Sequence, residues 1–598
     1  MAWTTPGIDF LVGNLVVPAS INYGFLAVAL PFLNLPRALP RWALLSISLL
    51  LVPGRSVASA VFTYHKHKRQ ARIRGARLPP ALDSGSIGNR ALIPVMRDTW
   101  KFGYPGDVFW DLIEQYGNLV NFRMLFADTL FTIDPAHVKR ILSTEFENFE
   151  KGERFRWAMD GVLGSGVFNS DGEMWKFHRT MARPFFSKDR AADLERFDKH
   201  VQKAISLFEQ RMKKGYAIDF QDLVHRVTLD MSSEFLFGNT MNSLEILEQD
   251  LPKPFTHPDH LKSLAAASSS KYPASAFADA FLNAQLVVAA RERVGWIWPL
   301  FELFEDKAKP FMETVNAFID PIVNEAVKNA EMTRLSEGNV EKKEVGEDES
   351  FLEHLASQTS DKKVLKDQAL NVLIAGRDTV AATLAFVFCL LSKHPEIQSR
   401  LSTEILGRVG PSKRPTYEEI KEMKYLRAVI NETLRILPPV PWDVRKCVNG
   451  AVWPSADPNE KPVYLPPDAS VPYGLLMMHT DEKLWGPDAS EFDPDRFIDE
   501  RKKRLLANPF MFLPFNGGPR ICLGQQLAYN QLSLSIIRFM QAFSSFTMDD
   551  NAVPPEGKVP EDWASHTGKG RKGKEAFRPK VVLTMSCQGG MWLKAEPV

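Results

Sequence analysis

The chain has 598 residues, 45% of them hydrophobic, which is enough to bury a large core. Its 73 Lys and Arg residues balance 72 Asp and Glu residues, so no overall positive field would attract nucleic acid, and no nucleic-acid-binding module is apparent. The four cysteines lie far apart without Cys-x-x-Cys spacing, which argues against a disulfide framework and a zinc site.

The amino-terminal region is predicted to insert into a membrane. Phe10–Leu35 is a long apolar run, and about 20 helical residues suffice to cross a hydrocarbon core. Trp42–Tyr64 is a second candidate span, weakened by Pro53-Gly54-Arg55 near its middle. A cleaved signal peptide is the competing interpretation, but the first run is too long and has no basic segment before it. Residues 1–64 are therefore predicted to form an anchor of one or two transmembrane helices.

A basic segment follows the anchor. It begins with His65-Lys66-His67-Lys68-Arg69, and the positive-inside rule places such an excess of Lys and Arg in the cytosol. Leu78-Pro79-Pro80 would stiffen the exit from the membrane, so residues 65–97 are interpreted as a basic, proline-containing linker with a hinge. Residues 98–598 are predicted to be a cytosolic catalytic domain.

Hydrophobic periodicity makes this domain mainly α with small β-sheets. The very apolar helix from Lys363 to Lys393 has to thread the core. A hairpin is predicted from the strand-like runs that flank Cys587-Gln588-Gly589. The other expected elements, in chain order, are strands at Leu119–Phe122 and Thr129–Ile133, short strands within Val444–Leu476, and a helix from Leu523 to Phe543.

A glycine-rich loop from Phe515 to Gly524 delivers Cys522 to the start of a helix. Loop and helix N–H groups favour the thiolate form of a cysteine, and a thiolate is an electron-rich ligand for haem iron. Gly518 and Gly524 would let the backbone approach a macrocycle and donate to sulfur, while Phe515 would shield the sulfur from water. Arg520 is placed to meet a carboxylate such as a haem propionate.

This loop resembles the cysteine signature of the cytochrome P-450 family, which has Phe, Gly, Arg, Cys and Gly at these relative spacings. Five fixed positions would match somewhere in such a chain by accident about once in ten thousand. The resemblance implies a triangular, mostly helical haem domain that holds haem b with Cys522 as the ligand of the iron. Cys389, Cys447 and Cys587 are interpreted as ordinary buried cysteines.

Asn431-Glu432-Thr433-Leu434-Arg435 places an acid and a base three apart on one helical face. On sequence alone this is usually a surface pair. In the family that the chain resembles, the Glu and Arg bond an arginine from a later loop, and Arg496 in Asp493-Pro494-Asp495-Arg496-Phe497 is the residue available here. Glu432, Arg435 and Arg496 are therefore assigned a structural role in fixing the cysteine loop.

Ala375-Gly376-Arg377-Asp378-Thr379, in the long central helix, matches the family's oxygen-activation motif. A polar kink in a core helix is the alternative interpretation of the motif alone. The resemblance implies that the Thr379 hydroxyl donates to iron-bound oxygen, in a local opening of the helix, and that Asp378 relays protons from solvent. The family pattern often continues with Thr or Ser, whereas this chain has Val380.

Trp175 and Arg179 lie four apart on one predicted helical face, as the family places them for a haem propionate. By itself this spacing is a weak signal, since a surface Trp covered by an Arg is common; the presence of Cys522 favours the propionate contact. Arg445, which follows the Glu432 helix, is a second candidate propionate partner.

Several segments look like the fungal alkane and fatty-acid hydroxylases within this family. The resemblance implies terminal or near-terminal hydroxylation of long-chain fatty acids or n-alkanes; steroid, terpenoid or aromatic hydroxylation remains an alternative. Two alternatives lie outside this class: isomerase or dehydratase chemistry on an oxygenated lipid, and a non-catalytic haem or lipid sensor. The segments are Phe512–Arg520, Gln525-Gln526, Arg377 and Phe281–Gln285.

The expected partners follow from the anchor and the missing dinucleotide site. No Gly-rich dinucleotide fingerprint is present, so electrons from NADPH should come through a membrane-bound cytochrome P-450 reductase, with cytochrome b5 as a second candidate donor. The expected location is the endoplasmic reticulum membrane. A lipophilic substrate and O2 are the other expected partners. The basic run Arg501-Lys502-Lys503-Arg504 is interpreted either as a reductase-docking surface or as a solvated charge run.

Overall fold

The computed structural model describes residues 5–33, 39–186, 194–269, 271–337, 349–455, 457 and 459–598. Helices predominate, and the strands are short. The amino-terminal helices are α1 (Pro6–Leu11), α2 (Val17–Ala29) and α3 (Arg41–Ile73). The helices before the central one are α4 (Leu92–Phe102), α5 (Asp107–Tyr116), α6 (Pro135–Lys139), α7 (Gly152–Leu163), α8 (Gly172–Ala182), α9 (Leu194–Lys213), α10 (Phe220–Phe237), α11 (His260–Ala267), α12 (Pro273–Val294), α13 (Lys309–Glu337) and α14 (Phe351–Gln358).

The central helix α15 (Lys362–Lys393) is followed by further helices and by most of the strands. The helices are α16 (Pro395–Arg408), α17 (Tyr417–Glu422), α18 (Lys424–Ile436), α19 (Leu475–Met478), α20 (Glu482–Trp485), α21 (Lys502–Ala507) and α22 (Gln525–Ala542). The strands are β1 (Leu119–Asn121), β2 (Leu130–Thr132), β3 (Phe149–Glu150), β4 (Ile218–Asp219), β5 (Trp442–Cys447), β6 (Ala451–Trp453), β7 (Val463–Leu465), β8 (Ser470–Gly474), β9 (Phe543–Met548), β10 (Pro579–Val581), β11 (Met585–Cys587) and β12 (Trp592–Pro597).

The two apolar amino-terminal runs form a helical hairpin. A single π-turn, Val12–Val16, joins α1 to α2, and the combined helix Pro6–Ala29 is long and apolar enough to cross a membrane. Helix α3 also meets this criterion and continues through Pro53 without a break, although proline removes one helical hydrogen bond. The Asn22 side-chain amide donates to the Ser48 carbonyl at 3.2 Å, which ties α2 to α3.

The segment around Leu78-Pro79-Pro80 is attached to the small sheets. Arg77 forms an isolated bridge with Val463, and Ala81 forms one with Asn121. The Arg77 N–H donates to the Pro462 carbonyl at 2.8 Å, and the Asn121 N–H donates to the Pro80 carbonyl at the same distance. These bonds set a fixed direction for the chain between α3 and the rest of the fold.

The largest sheet has the strand order β1-β2-β8-β5-β3. The predicted strands at Leu119–Phe122 and Thr129–Ile133 are confirmed as β1 and β2, which pair antiparallel. Strand β8 runs parallel to β2 and antiparallel to β5, with Arg445 opposite Val471. The sheet thereby positions β5, whose side chains line the cavity described below.

The predicted carboxy-terminal hairpin is wrong in its pairing. Strands β10 and β11 pair with each other, so the turn lies between Val581 and Met585. Strand β12 instead pairs antiparallel with β9 and β4. Gly589 and Gly590, both with positive φ, redirect the chain between β11 and β12. Local alternation could not distinguish these pairings because they depend on distant strands.

The hydrophobic core is built around α15, as expected for a helix this long and apolar. Helix α15 is also apolar enough to cross a membrane, but it is buried inside the protein. Phe388 of α15, Phe220 of α10 and Phe539 of α22 meet edge to face, with ring centroids 5.0–5.6 Å apart. The core thus holds the central helix against α22, the helix that begins after Cys522.

Candidate haem-thiolate site

One large cavity, of about 1250 Å3, lies between the Cys522 loop and helix α15. Most of the predicted site residues line it, although they come from four separate segments of the chain. Gly518, Asp378 and the Glu432–Arg435–Arg496 group are not among the lining residues. The predicted residues that do line it are Trp175, Arg179, Thr379, Arg445, Phe515, Arg520, Cys522 and Gly524.

The cysteine loop is held by its own backbone. The Cys522 N–H donates to the Phe515 carbonyl at 3.0 Å, and the Phe515 ring packs on Tyr529 of α22 at 5.0 Å. Gly518 has a φ of +65°, and a Cβ there would lie 1.7 Å from the Leu142 carbonyl oxygen. Gly518 therefore permits close packing of the loop on the turn Arg140–Thr144, rather than the direct macrocycle contact that was expected.

Cys522 lines the cavity, and its side chain is exposed to that space. Burial raises the pKa of the Cys522 thiol, and the Gly524 N–H and the Arg179 charge act in the opposite direction. The Gly524 N–H and Arg179 act in the direction expected of the loop, but burial outweighs them and the pKa is raised overall. Coordination to a metal would supply the remaining stabilisation, because a coordinated thiol loses its proton.

Arg520 and Trp175 form one side of the cavity. The Arg520 guanidinium lies over the Trp175 ring at 4.7 Å and donates to Asp171 Oδ1 at 2.8 Å. Burial and the nearby Arg445 charge lower the pKa of Arg520 to about 10. Its Nε has no hydrogen-bond partner among the described residues, although it is buried. An anionic group in the cavity would satisfy this atom.

The other two predicted propionate partners differ in how they are held. Arg179 donates to the Ile521 carbonyl at 2.9 Å, so it is bonded directly to the cysteine loop. Arg445 is buried and pairs with Asp443 at 2.9 Å. Lys151 also pairs with Asp443, at 2.6 Å, and its pKa is lowered to about 8 by burial and by Arg445.

These charges fit haem. Lys151, Arg179, Arg445 and Arg520 are four of the cations that line the cavity that Cys522 faces. Asp443 raises the pKa of Arg445, whereas burial lowers the pKa values of Lys151, Arg179 and Arg520, so the negative charge present compensates only part of the burial of these cations. Two propionates would supply the missing negative charge.

Helix α15 forms the opposite wall. The Thr379 side chain lines the cavity, and its hydroxyl donates to the Ala375 carbonyl at 2.7 Å. The helix is α-helical throughout this segment, so the expected local opening is absent from α15. Back-bonding by the Thr hydroxyl satisfies it within the intact helix.

Asp378 points away from this wall. It is buried, lies 3.5 Å from Arg377, and is 3.9 Å from His225 Nδ1 on α10. Burial raises the pKa of Asp378, while Arg377 and a hydrogen bond from Gln285 oppose that rise. The pKa of His225 is lowered to about 3, mainly by burial, so this imidazole is neutral at physiological pH.

The predicted structural group is assembled and fully buried. Arg435 binds both carboxylate oxygens of Glu432 at 2.7 Å, and Arg496 Nε lies 3.4 Å from Glu432 Oε1. Arg435 also donates to the His479 carbonyl at 2.7 Å. The His479 ring then accepts the Leu513 N–H at 3.0 Å, two residues before Phe515. The group thus connects to the start of the cysteine loop.

Sequence reasoning missed Lys151, Asp171, Asp443 and His479. Asp171 accepts the backbone N–H groups of Lys151 and Gly152, pairs with Arg156, and binds Arg520. No spacing in the sequence signals these contacts, because they form across separate loops and helices, and the contacts of Asp171 with Arg520 and of Lys151 with Asp443 join residues hundreds of positions apart. The only local signal was the position of Asp443 two residues before Arg445, with both side chains on one face of a strand.

A cysteine facing a large cavity, arginines that line the same cavity, and a threonine on the far wall define a haem-thiolate protein. A family model described as Cytochrome P450 matches residues 96–569. The chain is 32% identical over 492 residues to cytochrome P450 52-E3 of Starmerella bombicola, covering 81% of this chain and 89% of the relative. It is 34% identical over 486 residues to cytochrome P450 52A3-A of Candida maltosa, covering 79% and 86%.

The chain therefore belongs to the cytochrome P450 family and is a haem-dependent monooxygenase.

Proposed function

We propose that this monooxygenase hydroxylates long-chain fatty acids or n-alkanes at or near the terminal methyl group. The observation that carries the proposal is the cavity, whose wall extends from Cys522 to Phe10 of the amino-terminal helix and is largely aromatic and aliphatic. A cavity of about 1250 Å3 exceeds the upper end of ordinary small-molecule pockets, roughly 1,000 Å3, and so has room for haem and a long chain. The resemblance of several segments to fungal alkane and fatty-acid hydroxylases supports the same substrate class.

Different residues of the chain have different roles in the proposed reaction. Cys522 would bind the iron, and Arg520, Arg179 and Arg445 would hold the propionates. Haem, when bound, supplies the activation of O2. The Thr379 hydroxyl lies on the cavity wall; its single O–H donates to the Ala375 carbonyl, and rotation of that O–H into the cavity would make it a hydrogen-bond donor to O2. Asp378 lies behind that wall, where a raised pKa suits a group that takes up and passes on a proton.

The domain arrangement is part of the proposal. Residues 1–64 would be the membrane anchor, residues 65–97 the basic linker, and residues 98–598 the catalytic domain. The endoplasmic reticulum membrane would hold the anchor, with the catalytic domain in the cytosol and NADPH electrons arriving through a membrane-bound cytochrome P-450 reductase. Cytochrome b5 is a second candidate donor. The basic residues at the end of α3 support this orientation.

The structure supports the solvated interpretation of the basic run. Arg501 pairs with Asp488, Asp493 and Asp499, at 2.6–2.9 Å. Arg504 donates to the Trp485 carbonyl at 3.0 Å. Because these partners already hold both arginines, we expect little change in reductase affinity and in its salt dependence when the run Arg501–Arg504 is neutralised.

The substrate proposal is tested with ligand-induced spectral shifts and product analysis. Purified protein is titrated with fatty acids, n-alkanes, sterols and aromatics, and turnover is then measured with a cytochrome P-450 reductase, NADPH and O2. We expect spectral shifts and terminally hydroxylated products with the fatty acids or alkanes. Sterols or aromatics that are turned over while both straight-chain classes are not would overturn the substrate class. Turnover without reductase and O2 would instead indicate isomerase or dehydratase chemistry.

A further inference from the structure

The first turn of the amino-terminal helix is seated on the catalytic domain at the cavity. The Gly7 N–H donates to the Glu302 carbonyl at 3.1 Å, and the Thr5 hydroxyl donates to the Leu303 carbonyl. Gly7 is buried, and a Cβ on it would lie 2.5 Å from the Pro299 carbonyl oxygen and 2.6 Å from Leu303 Cα. Only glycine, which has no Cβ, fits at a backbone contact this close.

The surface that receives this turn is rigidly held. Glu302 is buried and forms a two-bonded pair with Arg291, at 2.7 and 2.8 Å. Arg291 also lies over the Trp298 ring at 4.4 Å. The carbonyl that accepts the Gly7 N–H therefore belongs to a residue fixed by a bidentate ion pair.

Phe10, one turn further along, reaches the cavity. Its ring lies 6.3 Å from Trp157, nearly parallel, and 6.2 Å from Trp296. Asp9, Phe10 and Asn14 line the same cavity as Cys522. The wall of the cavity is thus incomplete without the amino-terminal helix.

Both ends of the helical hairpin meet the catalytic domain. At the end of α3, His67 lies 3.7 Å from Asp128, and Ala71 packs against Tyr464. At the start of α1, Gly7 contacts residues 299–303. The two helices pack together, and both of their free ends contact the catalytic domain. A hairpin inserted in the membrane would therefore have both ends on the same side of the membrane.

We propose that the amino-terminal helix is a wall of the substrate cavity, in which Phe10 sets the affinity for long apolar ligands, and that the hairpin spans the membrane twice. This inference deepens the proposed function and rests on the cavity being the path of the substrate. It makes the anchor part of the binding site, with residue 5 on the same side of the membrane as the catalytic domain.

The first test measures binding of 1-alkylimidazoles of increasing chain length, which ligate haem iron whether or not fatty acids are substrates. In the full-length holoprotein, Phe10→Ala is compared with Phe25→Ala, which changes a 71% exposed residue of the same helix. We expect Phe10→Ala to weaken binding of the longest chains by about three- to tenfold and the shortest chains little. If the two variants give the same dependence on chain length, Phe10 is not part of the wall.

Gly7→Val gives an independent test of the docked turn. The matched control is Gly24→Val, since a Cβ at Gly24 meets nothing within 4 Å. We expect Gly7→Val, and not Gly24→Val, to change the chain-length dependence in the same direction as Phe10→Ala. Equal haem content and an unchanged thiolate-type Soret band with carbon monoxide confirm that each variant is folded. Identical affinities for Gly7→Val and Gly24→Val would contradict docking.

Topology provides a readout that does not depend on ligand binding. An N-glycosylation acceptor on a flexible extension before residue 5 should remain unmodified in microsomes, while the same cassette between α2 and α3 should be glycosylated. Modification of the amino-terminal acceptor would overturn the two-span arrangement. A protein that binds alkylimidazoles as expected but does not turn over straight-chain lipids would reject only the proposed substrate.

Discussion

The His479 ring accepts the backbone N–H of Leu513 at 3.0 Å, while its own carbonyl accepts Arg435. The bond requires an unprotonated Nε2. Burial and the Arg435 charge lower the pKa of His479 to about 3, so the ring stays neutral across the physiological range. His479 thereby joins the buried Glu432–Arg435 pair to the loop that carries Cys522.

His479→Ala should destabilise this loop. The change leaves the buried Leu513 N–H without a partner and opens a cavity, at a cost of about 2–4 kcal/mol in the free energy of unfolding. The measurement is denaturant unfolding monitored by the Soret band. The control is His566→Ala, at an exposed histidine. Equal midpoints for the two variants would show that the His479 contact does not hold the loop.

Cys522→Ala should abolish the thiolate ligand. Reduced wild-type protein with carbon monoxide is expected to show the strongly red-shifted Soret band of a thiolate adduct, and the variant should lack it. Cys389→Ala is the matched control, because that cysteine is buried in the core. An unchanged band in Cys522→Ala would make the ligand assignment wrong.

Arg520→Ala should accelerate the loss of haem. Removing one charge-assisted bond to a propionate is worth roughly 1.5–3 kcal/mol, which corresponds to about ten- to a hundredfold in haem dissociation. Transfer of haem to an apo-globin acceptor measures the rate. Arg97→Ala, at a side chain 70% exposed, should have the wild-type rate. A wild-type rate in Arg520→Ala would mean that Asp171 is the essential partner of Arg520 and that the propionates bind elsewhere.

Thr379→Val removes the hydroxyl while keeping the shape of the side chain. We expect hydroxylated product per NADPH consumed to fall by at least about tenfold, because the cavity wall loses its hydrogen-bond donor to oxygen. Thr379→Ser should retain most of the coupling. Thr383→Val serves as the comparison, since its hydroxyl likewise donates to the carbonyl one turn earlier. A loss in Thr383→Val equal to that in Thr379→Val would remove the special role of Thr379.

Asp219 should make stability depend on pH. Burial and the nearby Asp222 raise its pKa to about 7, so the folded protein holds a proton that the unfolded chain releases near pH 4. Its stabilising contribution is therefore complete below about pH 4 and is lost as the pH rises towards 7, roughly 4 kcal/mol in all. Denaturant midpoints from pH 4 to 8 measure this loss.

Asp219→Asn is the matching variant, because Oδ1 accepts the Gln221 and Met591 N–H groups and an amide oxygen can replace it. This part of the pH dependence should be absent in the variant. A wild-type slope in Asp219→Asn would assign it to other groups.

Much of the site was predictable from local pattern. The Cys522 loop, the Glu432–Arg435 spacing and the long helix through Thr379 each carry their signal within a few residues. Helix length and hydrophobicity likewise predicted α15, and alternation predicted β1 and β2. Local pattern did not predict the carboxy-terminal pairing, because β12 finds its partners at β9 and β4.

The sequence by itself determined the chemistry: a cysteine in a glycine-rich loop, arginines to meet carboxylates, and an apolar amino terminus. Only the tertiary structure decided which side chains share the cavity. It brought Phe10 to the cavity that Cys522 faces, turned Asp378 away from it, and placed Gly518 against Leu142. The physical reason is that loop signatures and amphipathic periods are short-range, whereas a cavity wall forms from segments hundreds of residues apart, which only packing of the whole chain brings together.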